Sequence, residues 1–116
     1  MASHTPDRGV DIGIYTSASV LADKLEDQSP NRKVEATWNM KRLPVRMGKG
    51  KNPDRLFFAY GGYWHGYFRI VPEILFNPSD QDKPYSLIFD VNSWTEIEPV
   101  PVKRFRGFRY LDNMPD

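Results

Sequence analysis

The residues best suited to chemistry in this sequence are cations and aromatic rings. Residues 32–55 hold eight basic residues against two acidic ones, and residues 103–110 hold four basic residues and no acidic one. Between these stretches, residues 57–68 contain seven aromatic rings. Because basic side chains pair with phosphates while rings stack on bases, this composition predicts a nucleic-acid surface.

The predicted nucleic-acid-binding residues each supply a charge, a ring or an amide. They are Trp38, Asn39, Lys41, Arg42, Tyr60, Tyr63, Trp64, His65, Arg104, Arg106 and Arg109. Two other interpretations stay open. Basic runs also occur in solvated loops and on edge strands that charge protects from aggregation, and cross-strand aromatic pairs stabilise a hairpin without any ligand.

Trp38 and Asn39 form the most specific pair among these candidates. A tryptophan ring can stack on a flipped-out base while the neighbouring amide reads the edge of that base. The alternative is a core tryptophan at the end of a strand, followed by an asparagine that starts a loop. Together with Tyr60 and Trp64, Trp38 is predicted to line a base pocket.

Few groups are available for catalysis or metal binding. The chain has no cysteine and only two histidines, His4 and His65, which excludes thiolate chemistry, disulfides and Cys-containing metal sites. No residue stands at a spacing that would pair with His65 as a catalytic dyad. Glu35 and Thr37 share one face of a strand, where an acid and a hydroxyl could converge or simply face solvent. We therefore expect no metal and no cofactor.

Alternating and helical patterns define the elements that must position these side chains. Strands are predicted over residues 10–14, 32–38, 55–60, 63–71, 87–91 and 102–110, and Ser17 is predicted to cap a helix that ends near Gln28. Gly61-Gly62 suits the two-residue turn of a hairpin. Residues 39–53 form a basic loop, and residues 77–84 a polar turn. This pattern predicts an α+β fold, a small mixed β-barrel of five to six strands with one or two helices.

The predicted hairpin also specifies which side chains face the core. Since neighbouring strand residues point to opposite faces, Phe57 and Ala59 are expected outward if Phe58 and Tyr60 face inward. On the return strand, one face is expected to carry the apolar set that belongs to the core: Trp64, Gly66, Phe68 and Ile70. The other face would then carry a polar, aromatic set suited to a base or ribose: Tyr63, His65, Tyr67 and Arg69.

Length and overall charge set the remaining bounds. A chain of 116 residues supports one domain, predicted over residues 9–116 behind a flexible N-terminal tail at residues 1–8. The net charge of +1 names no partner by itself. No apolar run reaches the ~20 residues needed to span a bilayer, and no signal peptide is visible. A cytoplasmic protein without a membrane partner is the expectation.

The order of these elements resembles the PUA-like superfamily, nearest to its ASCH and EVE branches. The likeness is carried by a short strand and a helix, by residues 32–38 with Glu35 at the motif glutamate, and by a basic loop before Asp54 and a hydrophobic strand. The sequence departs from the motif where Pro30 replaces its glycine, Arg32 its lysine and Thr37 its arginine.

The resemblance implies a small β-barrel that recognises RNA or a modified base. Some ASCH members resemble hydrolases of modified nucleosides, which would make Arg32, Glu35 and Thr37 the weak catalytic candidates. Arginine is a poor general base because it stays protonated, so the resemblance favours binding over catalysis. A third interpretation is a protein-interaction domain whose exposed aromatics form a partner or dimer surface.

Overall fold

The computed structural model describes residues 9–29, 31–47, 54–112 and 114–115. These residues form one α-helix and a six-stranded sheet. In chain order the elements are β1 (Asp11–Tyr15), α1 (Ala18–Glu26), β2 (Glu35–Met40), β3 (Arg55–Tyr60), β4 (Tyr63–Phe76), β5 (Tyr85–Pro101) and β6 (Phe108–Leu111). The predicted α+β class, with five to six strands, is confirmed. The predicted tail at residues 1–8 lies outside the described residues.

The strands lie side by side in the order β2-β5-β4-β3-β1-β6. Only the β1–β3 pair is parallel, and the other four pairs are antiparallel. Within the described part of the chain, the edge strands β2 and β6 do not pair, so the small mixed β-barrel that the sequence predicts takes the form of a half-barrel. A side of the barrel is therefore left open between these two edges.

The central hairpin of β3 and β4 has the turn that its glycines predict. Gly61 and Gly62 adopt φ values of 60° and 90°, which only glycine tolerates easily at both positions. Strand β4 continues past Pro72 to Phe76, further than predicted. Since Val71 pairs with Ile88 and Ile74 with Leu87, Pro72 and its neighbour Glu73 lie in a bulge, where the missing N–H of proline costs no ladder bond.

Hydrophobic clusters cover both faces of the central strands. The larger cluster includes Ile12, Leu56, Phe58 and Phe68, all fully buried. The second cluster consists of Phe57, Ala59, Trp64 and Phe105. The prediction that Phe57 and Ala59 face outward is therefore wrong, because Phe105 and the partly buried residues Ile97, Val100 and Val102 pack on this side of the sheet.

A β-bulge at His65 explains why strict alternation fails in the hairpin. Phe58 pairs with Gly66 and Ala59 pairs with Trp64, so His65 has no partner on β3. Trp64, Gly66, Phe68 and Ile70 are all buried, as predicted for the apolar set. However, the extra residue reverses the face on which Trp64 lies. Trp64 therefore packs in the second cluster, whereas Phe68 packs in the larger one.

The last strand is shorter than predicted. Residues 102–107 have no regular structure, and β6 begins only at Phe108. Phe105 is 8% exposed and packs against Trp64 and Tyr15. Because this ring is drawn into the second cluster, the chain leaves the strand geometry that its alternation predicts.

An ion pair between Asp11 and Arg55 links β1 to β3. The Arg55 Nε and Nη2 atoms each donate to a carboxylate oxygen of Asp11 at 2.8 Å. The Asp11 side chain is 5% exposed and that of Arg55 14%. The guanidinium lies between the rings of Phe57 and Tyr67, at 5.0 and 4.9 Å from their centroids. Asp11 and Arg55 are also direct partners in the parallel ladder of β1 and β3.

The helix begins where its cap predicts. Ser17 has extended backbone angles, and its Oγ accepts a hydrogen bond from the Val20 N–H at 3.3 Å. Leu21 is buried in the larger cluster and Leu25 packs against it. No helix among the described residues is long and apolar enough to span a membrane.

Replacing Ser17 with alanine is expected to lower the free energy of unfolding by about 1 kcal/mol, because the Val20 N–H loses its partner. Urea denaturation followed by circular dichroism measures the change. Ser79→Ala, at an exposed serine of the polar turn outside the helix, is the control and should shift the midpoint less. Equal midpoints for Ser17→Ala and the parent protein would contradict the capping role.

Candidate nucleic-acid interface

A cleft of about 920 Å³ opens on the side where the half-barrel is not closed. Four parts of the chain line it: the end of β1 with the residues that lead into α1, the end of β2 with the two residues after it, the polar turn before β5, and the approach to β6. The lining residues are Tyr15, Thr16, Ser17, Trp38, Asn39, Met40, Lys41, Arg42, Lys83, Arg104, Phe105, Arg106, Gly107 and Phe108. The cleft thus lies between the two edge strands.

The charge of this cleft is of one sign. Five of its fourteen lining residues are basic and none is acidic. Lys41, Lys83, Arg104 and Arg106 make no salt bridge with any carboxylate that the structure describes. In a chain whose net charge is only +1, these unneutralised cations concentrate positive potential at one place.

The segment after β2 crosses the opening and contacts the far edge. Arg42 Nη2 donates to the Phe108 carbonyl oxygen at 3.3 Å, and its guanidinium lies 4.6 Å from the centroid of the Phe108 ring. Arg46 contacts Tyr110, two residues further along β6. Its backbone N–H donates to the Tyr110 hydroxyl, and its guanidinium lies over the Tyr110 ring. These contacts link the segment after β2 to β6, although the two edge strands share no backbone hydrogen bonds.

Trp38 is the lining ring best placed to face a ligand. It is half-buried and meets Phe58 edge-to-face, with centroids 5.6 Å apart, so that one side belongs to the core. The rings of Phe105 and Phe108 are buried and covered by the guanidinium groups of Arg109 and Arg42. Trp38 is therefore both a core residue and a residue of the cleft lining.

Asn39 lies beside Trp38 with its amide held in place. Its Oδ1 accepts a hydrogen bond from the Ser86 hydroxyl at 2.7 Å, and the two residues are direct partners in the β2–β5 ladder. Asn39 is exposed and lines the cleft. Because neighbouring strand residues point to opposite faces, the Asn39 amide lies on the face of β2 opposite to the Trp38 ring, with Glu35 and Thr37.

Six of the eleven predicted binding residues come together in this cleft: Trp38, Asn39, Lys41, Arg42, Arg104 and Arg106. The predicted basic loop contributes its beginning, while Lys49 and Lys51 lie outside the described residues. Gly107 allows the approach to β6 to turn, since its φ of 73° is strained for other residues.

The other five predicted residues, Tyr60, Tyr63, Trp64, His65 and Arg109, do not line the cleft. Trp64 is 4% exposed, so the structure places it in the second cluster and not in the predicted base pocket. His65 stacks on Tyr60 at 3.8 Å between ring centroids, and its Nε2 lies 3.0 Å from the Tyr60 carbonyl oxygen. Tyr63 is exposed at the hairpin end, and Arg109 covers the Phe105 ring.

The weak catalytic candidates also lie away from the cleft. Glu35 is exposed and forms a salt bridge with Lys33 at 3.2 Å. Thr37 is exposed on the same face of β2, and its carbonyl oxygen accepts a bond from Lys24 Nζ. Arg32 is exposed, and its carbonyl oxygen accepts from the Asn92 amide. None of these three residues lines the cleft.

Sequence reasoning missed the lining residues that come from turns and strand ends. Lys83 belongs to a polar turn with no apolar period, and Tyr15 ends a strand whose other residues are buried. Tyr15 could have been found from the sequence, because it is an aromatic residue between the end of a predicted strand and the Ser17 helix cap. Its hydroxyl accepts a hydrogen bond from the Gly62 N–H at 2.6 Å, which anchors the hairpin turn beside the cleft.

Among the residues that the structure describes, no group of three or more His, Asp or Glu side chains is arranged to hold a metal ion. The chain was also compared with known proteins. It matches no protein-family model, no curated protein and no solved structure.

Proposed function

We propose that the protein is a nucleic-acid-binding module that holds single-stranded RNA in the cleft between β2 and β6. The observation that carries this proposal is the lining of the cleft: five cations, no carboxylate and the half-buried ring of Trp38. Arginine and lysine side chains on the rim would bind successive phosphates, and Trp38 would stack on one base.

The geometry favours a single strand over a duplex. Trp38 lies between two basic rims, so a base that reaches its ring must leave the helical stack. In single-stranded RNA the bases are already splayed and free to stack on aromatic side chains, whereas the deep major groove of an RNA duplex admits no side chain. A modified or flipped base would meet the same ring.

The start of α1 adds to the electrostatic argument. Tyr15, Thr16 and Ser17 place the N-terminal end of this helix on the cleft wall. The unpaired N–H groups of a first helical turn carry partial positive charge, which adds to that of the rim cations. Phosphates entering the cleft would therefore meet positive potential from three sides.

We further propose that the fold belongs to the PUA-like superfamily. What supports this is the element order that the resemblance rests on, together with a curved mixed sheet of six strands and one helix between β1 and β2. The RNA-binding role that the resemblance implies agrees with the charge of the cleft.

Fluorescence anisotropy with a labelled RNA octamer of mixed sequence tests the function. The logarithm of the association constant should fall linearly with the logarithm of the salt concentration, because each phosphate contact releases counterions. A duplex of the same sequence should bind less tightly. Octamer binding that is absent at low salt, or that does not change with salt, would overturn the proposal.

The double variant Arg104→Ala/Arg106→Ala is expected to weaken octamer binding about 10- to 30-fold at 0.1 M salt. Two phosphate contacts are lost, and the slope of the salt dependence should fall by about 1.4, since each contact to a single strand contributes about 0.7. All sequences should be affected alike because phosphates carry no base information.

Arg32→Ala/Arg69→Ala is the matched control for this experiment. It removes the same charge from two exposed residues outside the cleft. Its affinity and slope should stay within twofold of the parent protein. If both double variants weaken binding equally, net charge and not the cleft explains the affinity.

A further inference from the structure

The five cations of the cleft differ in what their side chains already contact. Arg42 Nη2 donates to the Phe108 carbonyl oxygen at 3.3 Å, and the guanidinium lies 4.6 Å from the centroid of the Phe108 ring. The other four make no side-chain hydrogen bond, ion pair or ring contact with any residue that the structure describes: Lys41, Lys83, Arg104 and Arg106. Four cations can therefore pair with phosphates at no cost, whereas Arg42 would first have to give up both contacts.

The contacts of Arg42 join the two sides of the cleft. Arg42 follows β2, and Phe108 begins β6, the strand at the opposite edge of the sheet. Within the described residues, the hydrogen bonds between the segment after β2 and β6 are those of Arg42 and Arg46. Of these two arginines, Arg42 lines the cleft and Arg46 does not. The connection that borders the ligand space is thus made by Arg42.

The backbone on both sides of this contact carries the cations that have no partner. Lys41 directly precedes Arg42, and Arg106 precedes Phe108 by two residues. The segment that carries Arg42 is itself anchored, because Pro44 is buried and Met47 packs against the larger cluster. The contact between Arg42 and Phe108 therefore sets the separation between the cations of the two rims.

We infer that Arg42 is a positioning residue, which holds the two basic rims of the cleft at the separation that successive phosphates of an RNA strand require and does not itself bind a phosphate. This inference rests on the proposed function. A planar guanidinium suits the role because its face stacks on a ring while an N–H at its edge donates, which the compact ammonium of lysine does not reproduce. A phosphate, by contrast, is bound by either side chain.

Arg42→Lys separates the two roles because it keeps the charge and removes the guanidinium. In fluorescence anisotropy, affinity for the RNA octamer should fall about five- to tenfold, since rims that are no longer held together are competent to bind for only a fraction of the time. Arg69→Lys, at an exposed arginine outside the cleft, is the matched control and should keep the parent affinity. An affinity of Arg42→Lys within about twofold of the parent protein would overturn the inference, because lysine replaces arginine at a phosphate contact.

The salt dependence of two alanine variants gives an independent measurement. Lys41→Ala should lower the slope by about 0.7, the contribution of one phosphate contact to a single strand. Arg42→Ala should also weaken binding, but it should change the slope by less than about 0.3 because no phosphate contact is removed. A slope that falls equally in both variants would make Arg42 a phosphate ligand and overturn the inference.

A distance measurement tests the positioning role without RNA. Because the chain has no cysteine, spin labels can be attached at Thr37→Cys on β2 and at Asp112→Cys after β6, two exposed residues that do not line the cleft. The distribution of distances between the labels should be broader with Arg42→Lys than in the parent protein, and Arg69→Lys should leave it unchanged. An equally narrow distribution with Arg42→Lys would show that Arg42 does not hold the rims, which also overturns the inference.

The possible results separate this inference from the proposed function. Salt-dependent octamer binding that Arg42→Lys leaves unchanged overturns the positioning role and leaves nucleic-acid binding intact. A lower melting temperature of Arg42→Lys with the parent affinity gives Arg42 a role in stability alone and has the same consequence. Absence of octamer binding by the parent protein overturns the proposed function and the inference with it.

Discussion

Replacing Asp11 with alanine is expected to lower the free energy of unfolding by about 3 kcal/mol. The change removes two hydrogen bonds of 2.8 Å to Arg55, whose side chain is only 14% exposed and lies between two aromatic rings. Breaking a buried pair by removing one partner is costly because the other charge keeps its desolvation penalty. The value is at the lower end of the usual range because Arg55 also donates to the Pro115 carbonyl oxygen.

Urea denaturation at neutral pH measures this loss, and the double variant Asp11→Ala/Arg55→Met is its control. Methionine fills the space between Phe57 and Tyr67 without bringing a charge, so the double variant should be more stable than Asp11→Ala alone. A loss below 1 kcal/mol for Asp11→Ala would show that the ion pair contributes little to the stability of the fold.

The elements that sequence reasoning located correctly are those with strong local signals. Gly61-Gly62 defined the hairpin, and Ser17 with the spacing of Leu21 and Leu25 defined the helix. In both cases the conformation depends on residues within one turn of each other. Strand β3 was predicted with its observed bounds for the same reason, since the turn fixes where it ends.

The features that escaped prediction depend on distant parts of the chain. Phe57 is buried because Phe105 and other residues far along the chain pack into its cluster. The bulge at His65 turns Trp64 into the same cluster. Alternation along one strand carries no information on whether the opposite face is covered. The last strand is shorter than predicted because Phe105 packs into the second cluster, which is built from distant parts of the chain.

The sequence predicted which residue types line the candidate site, but not which of the candidate residues the fold brings together there. Charge and ring content pointed to residues 41–42 and 104–106, and the structure brings both to one cleft with Trp38 and Asn39. The hairpin aromatics have the same composition, but packing buries Trp64 and pairs Tyr60 with His65. Sequence spacing could not separate rings that border the opening of the half-barrel from rings that fill its interior, because the strand order that decides this is non-local.

Replacing Trp38 with alanine is expected to have a double effect, which follows from its position between core and cleft. Octamer binding should weaken by about 1–3 kcal/mol, roughly 5- to 150-fold, through loss of the stacking surface. The salt slope should stay nearly unchanged because no phosphate contact is removed. The free energy of unfolding should also fall by about 2–3 kcal/mol, since the ring is half-buried and loses its edge-to-face contact with Phe58.

Two further substitutions separate these effects. Trp38→Phe keeps an aromatic face and should recover most of the binding, whereas Trp38→Leu keeps the apolar contact with Phe58 and should recover stability without recovering binding. Thermal melting and anisotropy on the same preparations give both quantities. If Trp38→Leu binds the octamer as tightly as Trp38→Phe does, the ring does not stack on a base, and the rim cations alone must account for the affinity of the cleft.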